Sequence, residues 1–231
     1  MPTKIITGNI FTTNCDVIVN TVNCVGVMGA GIALECRLRY PEMHDKYKEL
    51  CKRHLISIGK LWLYKSDKKW ILNFPTKGDW KLPSRVEFIH QGLSKFVEVY
   101  EQKEIKSIAF PMLGADRGGL QVETTLALLH QYLDPLPIDI ELYKYDPLAE
   151  DDLYEKLSIF LLTNDVNYLS DITKIRRNYI EKAIEAIKSG KIKQLNQLGS
   201  VEGIGIKTLE KLFIAAKESN FKGGYMQQTL L

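Results

Sequence analysis

Asn20-Thr-Val-Asn23-Cys-Val-Gly26-Val-Met-Gly29-Ala-Gly31-Ile-Ala33 follows a short apolar run, Val17-Ile18-Val19, and leads into a segment with helical spacing. Glycine reaches backbone conformations that a Cβ opposes, so several N–H groups of such a loop can converge on one point. A helix starting directly behind adds the positive end of its dipole. The natural occupant is a phosphate or diphosphate, and Asn20 and Asn23 offer amide hydrogen bonds to an adjoining sugar. Taken alone, the same glycines would also suit a tight strand-to-helix turn that serves packing only.

A second loop of the same kind weakens that alternative. Ser107-Ile-Ala-Phe-Pro111-Met-Leu-Gly114-Ala-Asp116-Arg-Gly118-Gly119-Leu120 again places glycines at the end of an apolar strand. Two such loops suit a ligand gripped from both sides of an α/β crevice. Gly26, Gly29 and Gly31 do not give the G-x-G-x-x-G spacing, which sets aside a Rossmann dehydrogenase.

The remaining chain fits this picture. Its 231 residues, 45% hydrophobic and 26% charged, allow one full soluble domain plus a small appendage. No apolar run approaches a membrane span and the N-terminus lacks a signal pattern, so a cytoplasmic protein without membrane contact is expected. Cys15, Cys24, Cys36 and Cys51 show no paired C-x-x-C spacing, and the four histidines are scattered. The cysteines read as reduced thiols, and no metal site and no cofactor are expected. Strands are predicted at 4–7, 16–20, 60–64, 70–74, 106–110 and 138–145. Helices are predicted at 32–40, from Pro41 to about Arg53, from a Ser84 cap with Glu87 completing its box to near Glu101, at 121–132 and at 151–161. Alternating strands and helices imply a mostly parallel or mixed sheet covered on both faces.

Residues 163–170 read as a polar boundary, so domains are expected at 1–162 and 171–231. From Ile172 onward there are eleven Lys or Arg against five Glu and no Asp, a surplus of six on a chain whose net charge is +3. A basic tail on a mildly acidic body suggests a polyanion, though solvated helix surface explains it as well. Within the tail, Leu198-Gly199-Ser-Val201-Glu-Gly203-Ile204-Gly205-Ile-Lys207-Thr-Leu209-Glu-Lys211 resembles a helix-hairpin-helix motif, which grips nucleic-acid phosphates without reading sequence. Gly203, Gly205, Lys207 and Lys211 are the contacts this implies; a helical turn without ligand is the alternative.

The first loop, with Gly8-Asn9-Ile10-Phe11, Asn73-Phe74-Pro75-Thr76-Lys77 and Gly114–Leu120, resembles the macrodomain family over roughly residues 1–146. Within it the likeness is to the branch of DNA ADP-ribosyl glycohydrolase antitoxins. The resemblance implies a three-layer α/β/α sandwich with a mixed central sheet, here followed by a small C-terminal helical domain. It implies ADP-ribose as ligand, and a reaction that removes ADP-ribose from a DNA base, thymidine in that branch, to reverse a partner toxin's modification. An ADP-ribosyltransferase toxin is the implied partner, and a monomer is expected. Two further functions share the cleft: ADP-ribose binding without turnover, and deacetylation of O-acetyl-ADP-ribose.

Carried over by position, Gly26, Val27, Met28, Gly29, Ala30, Gly31 and Ile32 would wrap the diphosphate, with Thr76 beside it. Gly114, Ala115, Asp116, Arg117, Gly118, Gly119 and Leu120 would close over it. Asn23 would address the distal ribose, and Asn20 either touches ligand or holds the loop. Asn9, with Ile10, stands where the family usually has an aspartate that receives the adenine amino group; an amide carbonyl can still accept that bond, more weakly. Lys77 and Asn23 are the implied catalytic residues, with Lys77 carrying the chemistry. Its amine would either attack the open-chain ribose C1 as a nucleophile or stabilise charge on the departing base. Asp116 stands two positions before the acid of some protein-directed relatives and could act on water; Arg117 would meet a phosphate. Trp80 would stack on a nucleobase or merely cap the crevice.

Overall fold

The computed structural model describes residues 3–218; the last part of the expected basic domain, 219–231, lies outside the described residues. The chain divides into two compact units, Met1–Pro147 and Leu148–Leu231. The first unit contains strands β1 (Lys4–Gly8), β2 (Val17–Val22), β3 (Trp62–Tyr64), β4 (Trp70–Pro75), β5 (Ser107–Pro111) and β6 (Asp139–Tyr145), in the order β1-β6-β5-β2-β4-β3. Neighbours pair parallel except β3 with β4, so the sheet is mixed.

Central β2 is covered on both faces, which is why it opens on the unbroken apolar run Val17–Val19. Its side chains alternate between two cores. Val17 and Val19 pack with Phe74, Ile108 and Phe110 against α3 (Val86–Val99) and α4 (Val122–Leu133). Ile18 and Val22 pack with Ile71 and Ala109 against α1 (Gly31–Arg39) and α2 (Pro41–Lys52). The result is the three-layer α/β/α arrangement.

One glycine is demanded by this packing. A Cβ on Gly92 in α3 would lie 2.1 Å from the ring of Phe74, which is fully buried in β4. Glycine within a helix gives up about 1 kcal/mol relative to alanine, yet here it lets helix and strand close together. Gly92→Ala is therefore expected to destabilise the protein by about 1–3 kcal/mol and to lower the thermal midpoint by roughly 3–10 °C, read by calorimetry. An unchanged or raised midpoint would contradict this packing.

Ser84 does not cap α3 as expected. Arg85 is the cap and makes no side-chain bond, because the Ser84 N–H is held 2.9 Å from the Gly118 carbonyl. The buried Ser84 hydroxyl has no hydrogen-bond partner.

The second unit is helical: α5 (Asp152–Thr163), α6 (Val166–Thr173), α7 (Arg177–Lys188), a 3₁₀ segment Leu195–Ser200 and α8 (Ile206–Glu218). The expected polar boundary at 163–170 is instead occupied by α6, which Asp165 initiates by accepting from Asn167 N (2.8 Å) and Tyr168 N (3.3 Å). α6 and α7 are separated at Lys174, whose φ of 55° breaks the helical ladder. The chain divides earlier because α5 buries Leu153, Leu157, Phe160 and Leu161 and packs with α7 and α8. Buried Asp151 fastens the start of α5 to Leu195 N at 2.8 Å. Among the described residues no helix is long and apolar enough to cross a membrane.

Candidate active site

β5, β2 and β4 are adjacent and parallel, so their C-terminal ends open on the same edge of the sheet. Both glycine loops and Lys77 leave from those ends. This is the edge at which open α/β sheets take ligands. Thr76 N extends the ladder by one bond to Val22 O (2.9 Å), and Cys24 N bonds Gly78 O (3.1 Å). The first loop is thereby tied to the segment carrying Lys77.

Asn23 organises the first loop from within. Its Oδ1 accepts from Val25 N (3.0 Å) and Val27 N (3.2 Å), and its Nδ2 donates to Val27 O. Tyr47 of α2 donates its hydroxyl to Asn23 O at 2.6 Å. Burial raises the Tyr47 pKa strongly, so the phenol keeps its proton and this bond persists across ordinary pH. Burial next to Cys51 likewise raises the Cys24 thiol to about 11, leaving it protonated. Both ends of the Asn23 amide thus bond within its own loop, and the second Nδ2 hydrogen is the one it can offer a ribose. Asn20 is fully buried and donates to Asn73 Oδ1 at 2.9 Å, so it holds strands β2 and β4 together rather than reaching the cleft.

The backbone of the loop is shaped for an anion. Gly26 and Gly31 have φ of +84° and +55°, a region that side-chain-bearing residues avoid. Ala30 caps α1 without any side-chain bond, and Leu34 N to Ala30 O (3.2 Å) opens the helical ladder. The amides of Gly31, Ile32 and Ala33 thus precede any intrahelical acceptor and lie at the positive end of the helix. Val27 is exposed, whereas the Met28 side chain is buried in the α1–α2 core and only its backbone is left for a ligand.

The second loop folds tightly on itself. Ala115 N bonds Met112 O, Gly119 N bonds Asp116 O and Leu120 N bonds Gly114 O. Gly114 and Gly119 have φ of +70° and +79°. Gly118 has an ordinary φ but no room: a Cβ there would lie 2.1 Å from Gly114 O and 2.4 Å from Ser84 Oγ. Lys77, half-buried, donates its ammonium to the Arg117 carbonyl and so meets the second loop directly. Asp116 reaches back to the first loop, its carboxylate 3.5 Å from where a Cβ on Gly31 would stand. Arg117 is exposed, with its guanidinium 3.9 Å from that carboxylate. The two loops therefore face each other with Lys77 between β4 and the second of them.

Asn9 is buried after β1 and accepts from Phe11 N (3.0 Å), capping a 3₁₀ turn at Ile10–Thr12. The carbonyl expected to receive an adenine amino group is thus already engaged, though a carbonyl oxygen accepts two bonds. Trp80 stands exposed after Lys77, with Lys81 Nζ 5.5 Å from its ring centre. In the second unit, Gly203 turns the hairpin at φ +88°, and Lys182 Nζ fixes that turn through Glu202 O at 2.9 Å. The hairpin differs from expectation in that its first arm is 3₁₀. Gly205 and exposed Lys207 stand at the start of α8, whereas the Lys211 ammonium is engaged by Lys174 O. Tyr47, Asn73 and Ser84 also support the site, through Asn23, Asn20 and Gly118. Tyr47 and Ser84 carry no sequence signal, since their partners lie 24 and 34 residues away.

The macro domain family matches residues 19–129. A DNA ADP-ribosyl glycohydrolase of Mycobacterium tuberculosis is 40% identical over 144 residues, 61% of this chain and 41% of its own length. The chain therefore spans about two-fifths of the length of the curated glycohydrolases it matches. The solved macrodomain of Thermus aquaticus DarG is 34% identical with a TM-score of 0.58, covering 61% of this chain and 97% of that one. Thermosipho africanus DarTG, solved in complex with ADP-ribose, is 32% identical with a TM-score of 0.58, covering 62% of this chain and 42% of that one; its curated counterpart is a DNA ADP-ribosyl transferase–DNA ADP-ribosyl glycohydrolase fusion protein. With the mixed six-stranded sheet, the paired glycine loops and this near-complete coverage of a solved macrodomain, the chain belongs to the macrodomain family.

Proposed function

We propose that this chain is a glycohydrolase that removes ADP-ribose from a base of DNA, thymidine as the resemblance in its sequence implies. Water adds to the anomeric carbon of the distal ribose, the bond from that carbon to the base nitrogen breaks, and the base takes up a proton. The observation that carries the reading is Lys77, whose amine bridges from the end of β4 to the second glycine loop. The amides of the first loop and the start of α1 would hold the diphosphate, with Gly114–Leu120 closing on it. Incubating the protein with a single-stranded oligonucleotide carrying ADP-ribosyl-thymidine should free ADP-ribose and restore the unmodified strand, read by mass spectrometry. Binding of ADP-ribose without release would make the protein a reader of the mark instead. The transferase fused to the Thermosipho relative supports an ADP-ribosyltransferase partner for this chain.

Asp116 acts against the ligand in this account. Its carboxylate lies at the mouth of α1, where a diphosphate would stand. Removing the charge with Asp116→Asn should tighten ADP-ribose binding about five-fold at low salt, since a like charge at that range opposes it by roughly 1 kcal/mol. Weaker binding of the variant in titration calorimetry would show that Asp116 contacts ligand productively.

The second unit would add a sequence-independent grip on the strand through the amides opening α8 and Lys207. Lys207→Glu should weaken binding to unmodified single-stranded DNA and flatten its dependence on salt by about one counterion. An unaltered salt slope would remove Lys207 from the contact.

A further inference from the structure

Half of the large apolar side chains exposed on the first unit lie on the two segments that flank Lys77. Val25 (49%), Val27 (37%), Trp80 (51%) and Leu82 (59%) are exposed there, whereas the other four described ones, Ile5, Leu55, Val122 and Tyr145, are scattered through the unit's sequence. The Cys24 N to Gly78 O bond ties these two segments together. A rim of this kind, left in water beside a reactive amine, calls for an apolar occupant.

The order of strands shows which part of a substrate reaches it. Asn9 and Ile10 follow β1, and Trp80 follows β4, four strand positions further along the sheet edge. At the usual strand spacing that is about 19 Å. If the adenine lies by Asn9, the rim stands beyond the distal ribose, on the side of the departing base. Cations accompany it: Lys81 stands against the Trp80 ring, and the Lys77 ammonium lies at the cleft on the Arg117 carbonyl. Flat apolar surface with interleaved cations is the chemistry that holds unpaired bases and their phosphates.

We infer that Val25, Val27, Trp80 and Leu82 form a stacking platform for the unpaired bases flanking the modified nucleotide, so that the enzyme prefers an adduct carried in a strand to the free modified nucleoside. The inference rests on the glycohydrolase reading and adds to it the part of the substrate that lies beyond the reacting bond. A base paired in a duplex keeps its faces stacked on its neighbours and would have to be extracted first.

The test compares kcat/KM for ADP-ribosyl-thymidine in a single-stranded oligonucleotide with that for the free ADP-ribosylated nucleoside. In Trp80→Ala and Leu82→Ser the ratio of strand to nucleoside should fall, about tenfold for Trp80→Ala, while Trp80→Phe retains most of it. A ratio unchanged in both variants would overturn the platform, as would an equal loss on both substrates, which would make the rim a wall of the ribose site. If the wild type releases nothing from either substrate, the hydrolysis reading fails, and the platform is judged by binding alone. Fluorescence anisotropy with an unmodified strand of the same sequence should then show Trp80→Ala about tenfold weaker, and equal affinities would overturn it.

Discussion

Lys77→Ala is expected to lower release of ADP-ribose from modified DNA by about a thousand-fold while leaving ADP-ribose binding within a few-fold of the wild type. The asymmetry follows from where the amine sits. The candidate diphosphate contacts are backbone amides of the first loop and of α1, and none of them depends on Lys77. The ammonium instead reaches across to the Arg117 carbonyl at the far loop. In the proposed reaction a group placed there acts on the reacting end of the ligand, so its removal should be felt in the transition state more than in the bound ground state. Single-turnover release measured with saturating protein separates the two effects. Full release by the variant would end the assignment, and a parallel collapse of ADP-ribose affinity would make Lys77 a binding residue.

Gly118→Ala should weaken ADP-ribose binding by roughly 30- to 100-fold. The methyl group would need to occupy space 2.1 Å from Gly114 O and 2.4 Å from Ser84 Oγ. The first of these is backbone and cannot swing aside, so the turn itself must open, at about 2–3 kcal/mol of strain. Opening also pulls the Gly118 carbonyl from Ser84 N, the bond that seats the loop against the start of α3. Gly119→Ala provides the contrast. Its Cβ would meet open space, leaving only the strain of φ +79°. The smaller loss expected there, measured beside Gly118→Ala with calorimetry and thermal melts of both, separates crowding from backbone preference. Equal losses in the two variants would refute the argument.

The sheet and its two helical layers were legible because strands buried on both faces carry apolar runs, such as Val17–Val19, and because glycines punctuate the strand ends. The glycine loops and Lys77 were legible as a cluster, since parallel neighbouring strands deliver their C-terminal ends to one edge. What a side chain does once there was not legible. Asn23 has the right chemistry for a ribose, and its bonds to Val25 and Val27, which shape the loop, could not be read from that chemistry. Asn20 looks like a loop-entry residue and is a buried rivet to Asn73. Ser84 stands three residues before Glu87 as a capping box requires, yet a bond to Gly118 draws its backbone away. The division near residue 147 was hidden for a similar reason: the polar residues at 163–170 mark the exposed face of α6 and its Asp165 cap, and only tertiary packing assigns α5 to the helical unit.

Titration of free ADP-ribose into the intact wild-type protein, followed by calorimetry, tests the paired-loop clasp most directly. Saturable uptake by one site per chain, weakened by Gly118→Ala and retained in Lys77→Ala, is the predicted result. Folded protein that takes up no ADP-ribose, and whose thermal midpoint the ligand does not raise, would contradict it.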